Sequence, residues 1–159
     1  MQQPTSPIDD YRELGFTLLE VVCVVAILAI LATMAAPLLP HGTSRARLQS
    51  YAVATAALLK ADRNAALRRG AQIATEINAA ARVVRSGSSS RLVRVADDVD
   101  FDALLPARCG PYQDGSTIRF FSSGMSCGGV IALTHAGLGY EVRVNWLTGG
   151  VEIVPFSRT

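Results

Sequence analysis

The chain has 159 residues, half of them hydrophobic, and a formal charge of +2 from 15 Lys and Arg against 13 Asp and Glu. Once a membrane-length apolar segment is set aside, about 120 residues remain, room for one compact domain and not for two. With three cysteines, two histidines and no C-x-x-C spacing, zinc ligation has no support.

Residues 1–14 contain two prolines and no hydrophobic period, which predicts a leader without a fold of its own. From Phe16 to Ala36 the sequence is almost entirely Val, Ile, Leu and Ala, with Glu20 as the single charge. A helix of this length reaches roughly 30 Å, the thickness of a bilayer's hydrocarbon core, so residues 16–36 are expected to span a membrane. Glu20 is the anomaly, because a carboxylate in hydrocarbon is costly unless it is paired or neutralised. Cutting the chain between Gly15 and Phe16 would place an α-amine one helical turn from Glu20, and a neighbouring copy could supply the same cation. A secretory signal peptide fits less well: the n-region is acidic, the apolar core is too long, and Thr33-Met34-Ala35 is a poor cleavage site.

Pro37, Pro40 and Gly42 predict a kinked linker over 37–43. Thr43 or Ser44 can cap the helix expected over 44–69, whose inward stripe is Leu48, Tyr51, Ala52, Leu58, Leu59 and Ala66. Gly70 suits its C-terminal cap, and Arg68 and Arg69 suit its last turn. Asp62 falls within the apolar stripe and requires a partner that the sequence does not identify. The cations on this helix are spread around a solvated face and form no cluster of the kind that phosphate binding requires.

Residues 70–159 read as a β domain, with strands expected at Ile73–Asn78, Arg82–Arg85, Arg91–Val95, Thr117–Phe121, Val130–Thr134, Tyr140–Trp146 and Val151–Val154. Tyr140, Val142, Val144 and Trp146 alternate with polar residues and form the expected inward face, and Thr148-Gly149-Gly150 reads as a hairpin turn. Ser86–Ser90 reads as a flexible loop. Asp97–Asp102 reads as an acidic loop, without the glycine and terminal Glu of an EF-hand. Gly124-Met125-Ser126-Cys127-Gly128 matches G-x-S-x-G, yet a strand is expected after the serine, and His135 precedes the later acids Glu141 and Glu152. We therefore read no enzyme activity, and no motif calls for a cofactor. Cys23 lies in the apolar run. Cys109 and Cys127, both beyond it, are a disulfide in an oxidising compartment or else two free thiols.

Gly15-Phe16-Thr17-Leu18-Leu19-Glu20 followed by an apolar run resembles the type IV pilin and pseudopilin signal. Ile118-Arg119-Phe120-Phe121, the glycines around Ser126 and Tyr140–Gly149 resemble the C-terminal half of the GspH/FimT family, in which GspH is a minor pseudopilin of type II secretion. The resemblance implies cleavage after Gly15 by a prepilin peptidase, N-methylation of Phe16, and subunit assembly guided by Glu20. It implies an α+β, pilin-like fold: a long N-terminal transmembrane and amphipathic helix packed on a C-terminal antiparallel β-sandwich-like domain. The implied partners are other minor and major pseudopilins, the prepilin peptidase and an inner-membrane assembly platform, with a place near the pseudopilus tip. A DNA-binding minor pilin of the FimT kind is the alternative. The leader carries Asp9, Asp10 and Glu13 against Arg12, whereas the segment after Pro37 carries 14 Lys and Arg against 9 Asp and Glu. Charge alone would therefore put the N-terminus outside. The resemblance requires the reverse, a single pass with the N-terminus cytoplasmic and the C-terminal domain periplasmic.

Overall fold

A computed structural model describes residues 17–35, 42–113 and 115–157, with the side chains of 32–35 not included. The chain divides into two units, residues 1–40 and 41–159.

In the first unit, helix α1 runs from Leu18 to Ala35. Its 18 residues correspond to about 27 Å. Among the described residues no helix is long and apolar enough to cross a membrane. Phe16 and Ala36, the ends of the expected span, lie outside those residues, as do Pro37 and Pro40 of the expected kink.

In the second unit, helix α2 (Arg45–Arg69) is capped at both ends. Ser44 is extended, and its hydroxyl accepts from the Arg47 amide, while Gly70 takes a left-handed conformation that closes the last turn onto the Ala66 carbonyl. Its stripe is buried: Leu48, Ala52, Leu58, Leu59 and Ala66 are at most 1% exposed, and Tyr51 is half-buried.

Among the described residues, ten strands follow: β1 (Ile73–Asn78), β2 (Val83–Arg85), β3 (Leu92–Arg94), β4 (Asp100–Leu104), β5 (Arg108–Cys109), β6 (Tyr112–Gln113), β7 (Thr117–Phe120), β8 (Gly129–His135), β9 (Leu138–Val144) and β10 (Val151–Ser157). They form an antiparallel sheet ordered β3-β2-β1-β7, a second ordered β10-β9-β8-β4, and a β5-β6 ribbon. Helix α2 packs against both four-stranded sheets. One core joins its stripe to Ile73, Ile77, Val84, Ile118 and Phe120 of the first sheet and to Phe101, Ile131, Leu133 and Val142 of the second.

Three local expectations are corrected. Part of the acidic stretch is strand β4: Phe101 is buried while Asp100 and Asp102 face solvent, an alternation that the density of carboxylates obscures. Trp146 is not part of the inward face and is 62% exposed. The Asn145 side chain accepts from the Leu147 and Thr148 amides, 2.9 and 3.0 Å, and this turn takes the chain out of the ladder one residue before the tryptophan. Ser86–Ser90 is not a loose linker, because its hydroxyls and amides close around Asp62. The alanines at 79–81, unfavourable in a strand, occupy the turn between β1 and β2, where Asn78 Oδ1 accepts from the Ala81 amide at 2.8 Å and Arg82 sits at φ 52°.

Candidate assembly helix and the unit that carries it

Helix α1 begins at a polar cap. The Glu20 amide donates to the Thr17 carbonyl at 3.0 Å and to Thr17 Oγ1 at 3.2 Å. Thr17 thus serves as the N-cap, with Glu20 in the first turn, where the positive end of the helix dipole favours a carboxylate. The T-x-x-E spacing is a capping-box pattern and was a signal available in the sequence. Among the described residues no cation pairs with Glu20. The large apolar side chains from Leu18 to Leu31 are 50–83% exposed and point to every side of the helix. A helix apolar all round needs cover from lipid or from other helices. Gly15 and Phe16, the expected cleavage and methylation positions, lie outside the described residues.

The second unit holds α2 in place by three polar devices. At its start, Asp98 accepts from the Thr43 amide at 2.6 Å and from the Thr43 hydroxyl at 2.8 Å. These bonds hold the Asp98 carboxyl below its ordinary range. His135 Nδ1–H donates to the Asp98 carbonyl at 2.6 Å, which fixes the turn that presents the carboxylate.

In mid-helix, the Asp62 side chain is fully buried. Burial alone would push its carboxyl up, but the hydroxyls of Ser86, Ser88 and Thr75 and the Gly87 amide outweigh it, and the carboxyl lies below its ordinary value. Thr75 Oγ1 donates at 2.7 Å, and the Gly87 and Ser88 amides donate at 3.0 and 3.2 Å. This is the partner the sequence left unnamed: a negative charge held by neutral donors, with no cation paired to it among the described residues. Gly87 is obligatory here, because a Cβ would lie 2.1 Å from the Ala74 carbonyl oxygen.

Further along α2, Arg63 donates to the Gly124 carbonyl at 3.3 Å and twice to the Thr148 carbonyl, at 2.9 and 3.2 Å. It draws together the loop after β7 and the β9–β10 turn. The two meet closely, since a Cβ on Gly149, at φ 61°, would lie 2.2 Å from the Gly124 carbonyl oxygen. Away from α2, a disulfide between Cys109 and Cys127, Cα atoms 5.6 Å apart, ties the β5-β6 ribbon to the strand-entry loop of β8.

Within that loop, Ser126 Oγ donates to the Asn145 carbonyl at 3.0 Å and accepts from the Gly128 amide at 2.9 Å. The serine of the G-x-S-x-G match thus braces a hairpin that leads into β8. Arg82, Arg85 and Arg143 are taken up by Asp97, Glu76 and Glu141 in exposed ion pairs. Among the described residues no group of His, Cys, Asp and Glu could hold a metal ion.

Comparison with known proteins agrees with both ends of the chain. The prokaryotic N-terminal methylation motif matches residues 11–36. Type II secretion system protein H of Xanthomonas campestris pv. campestris is 32% identical over 142 residues, 89% of this chain and 83% of the relative. The minor pseudopilin EpsH from the type 2 secretion system of Vibrio cholerae superposes with a TM-score of 0.54 at 11% identity, over 67% of this chain and 95% of EpsH. The type IV minor pilin FimU of Pseudomonas aeruginosa gives 0.52 at 17% identity, over 70% and 90%. At such identities the two structures are evidence of a shared pilin-like fold.

Proposed function

The chain belongs to the family of type II secretion system protein H, and from that premise we propose how this minor pseudopilin is made, anchored and assembled. The observation that carries the proposal is helix α1: apolar on every side, exposed along its described length, and bearing one carboxylate in its first turn. Cleavage after Gly15 by a prepilin peptidase, followed by N-methylation, leaves Phe16 as the first residue. The apolar segment that contains helix α1 then anchors the chain in the inner membrane in a single pass, with the leader cytoplasmic and residues 70–159 periplasmic.

On extraction by the inner-membrane assembly platform, the same apolar surface exchanges lipid for the helices of other minor and major pseudopilins. Glu20 sets the register by pairing with the amino group of a neighbouring subunit's first residue, since a carboxylate buried in a helical filament core needs a cation. The subunit sits near the pseudopilus tip, and its contribution to export across the outer membrane is structural. The two sheets closing on one core beneath α2 support the sandwich-like description of the periplasmic domain. The pairing of Arg82, Arg85 and Arg143 with carboxylates does not favour DNA capture as the alternative.

Intact-mass analysis of the protein purified from native membranes tests this reading. The expected chain begins at N-methyl-Phe16. A chain beginning at Met1 or near Ala36 would refute it.

A further inference from the structure

We propose that the outer face of the β10-β9-β8-β4 sheet is a docking face for another pseudopilin, one that presents an apolar side chain flanked by Lys or Arg; the proposal rests on the filament reading above. Strand register sets out this face. One row across the sheet is Glu152, Arg143, Val130 and Leu104, and the next is Val154, Glu141, Ala132 and Asp102. An apolar lane of Leu104, Val130 and Ala132 therefore runs beside Arg143, Glu141 and Asp102, with Glu152 beyond Arg143. Leu104 is 77% exposed. The lane opens into a groove of about 570 Å³ beside Gly128 and Trp146.

Trp146 is presented rigidly. Its carbonyl accepts from the Ser126 amide at 2.9 Å, its Cβ packs over Gly128, and the Asn145 side chain fixes the turn behind it. The adjacent residue Cys127 is held by the disulfide. A tryptophan 62% exposed on so constrained a backbone loses little conformational freedom on binding, which is the character of an interface anchor.

The charges define the occupant. Arg143 is already held by Glu141, with Nη2 and Nε each 2.7 Å from Oε2. Asp102 and Glu152 have no ion-pair partner among the described residues. A partner that covers the lane must remove water from these two carboxylates, and the cost is offset only if it brings cations of its own. A lipid surface with anionic headgroups is repelled by the same charges.

The test uses the full chain in its native cell. A photocrosslinking p-benzoylphenylalanine replaces Leu104 in one strain and, as a control, Leu92 on the outer face of the other sheet. The expected result is an adduct from position 104 to another pseudopilin, on a peptide containing Lys or Arg. Charge reversal by D102K with E152K is expected to lower its yield at least tenfold, and Trp146→Ala at least threefold, with processing and any Leu92 adduct unchanged. The proposal is overturned if the processed chain is present in pseudopili but position 104 gives no adduct, gives one only to lipid or to a second copy of this chain, or gives one indifferent to charge reversal. Absence of the unsubstituted chain from pseudopili, read by immunoblot, refutes the filament reading separately.

Discussion

Replacing Asp62 by alanine removes the common acceptor of Thr75 Oγ1, Ser86 Oγ, Ser88 Oγ and the Gly87 and Ser88 amides. A buried donor left without an acceptor costs about 1–3 kcal/mol. The serines can partly satisfy one another, since Ser86 Oγ already contacts the Ser89 hydroxyl at 3.0 Å, so the full set of donors is not orphaned. The expected loss is therefore about 3–4 kcal/mol for Asp62→Ala, and about 2–3 kcal/mol for Asp62→Asn, which keeps one oxygen. At about 4 °C per kcal/mol for a folded unit of this size, Tm falls by roughly 12–16 °C and 8–12 °C. Thermal unfolding of the full chain in detergent, followed by circular dichroism, measures both. The pH dependence gives an independent check. With a carboxyl pKa lower in the folded than in the unfolded state, the unfolded chain binds more protons, and stability rises with pH. The contribution is complete above the unfolded value of about 3.9 and is lost as pH falls through the lower folded value. Asp62→Asn abolishes that component of the acid transition. Variants within about 0.5 kcal/mol of the parent, or an unchanged acid transition in Asp62→Asn, would refute the account.

Three further outcomes are expected. Gly87→Ala drives a methyl into the Ala74 carbonyl and lowers stability by about 3 kcal/mol, read as a reduced urea midpoint at unchanged slope. Loss of the Cys109–Cys127 bond, by Cys→Ala at both positions, costs about 3 kcal/mol for its 18-residue separation, and reduction of the parent raises its intact mass by about two units. Glu20→Ala leaves the folded unit's Tm within 1 °C of the parent, because Glu20 lies in the other unit, yet the protein stays in the membrane fraction and is lost from pseudopili; retention in pseudopili at parental levels would count against the assembly role.

What the sequence made legible followed from periodicity and from backbone chemistry. The 3.6-residue spacing of Leu48, Ala52, Leu59 and Ala66 identified the buried face of α2, and Ser44 and Gly70 marked its ends. Short apolar or alternating runs between turn residues identified β8, β9 and β10 within three residues at each end. The short strands β5 and β6 carry no such period, and β4 was hidden because alternation with aspartate resembles a charged loop. Asp62 was visible as a charge in an apolar stripe, but its donors come from positions 75 and 86–88, on other elements. Only the folded chain brings them together. The Arg63 clamp was invisible for the same reason: its acceptors are main-chain carbonyls, which no side-chain pattern reports.

The pin between Thr43 and Asp98 also bears on mechanics. Thr43 directly precedes the Ser44 cap of α2, so tension on the chain from its N-terminal side reaches the helix through it. The load then meets two parallel hydrogen bonds on one carboxylate, and through the Asp98 carbonyl it passes to His135 at the end of β8. Force is delivered into the central strands of a four-stranded sheet, and the first turn of α2 is shielded from being peeled off the core. A pull on the N-terminal side of the folded unit is in this way transmitted without unravelling α2.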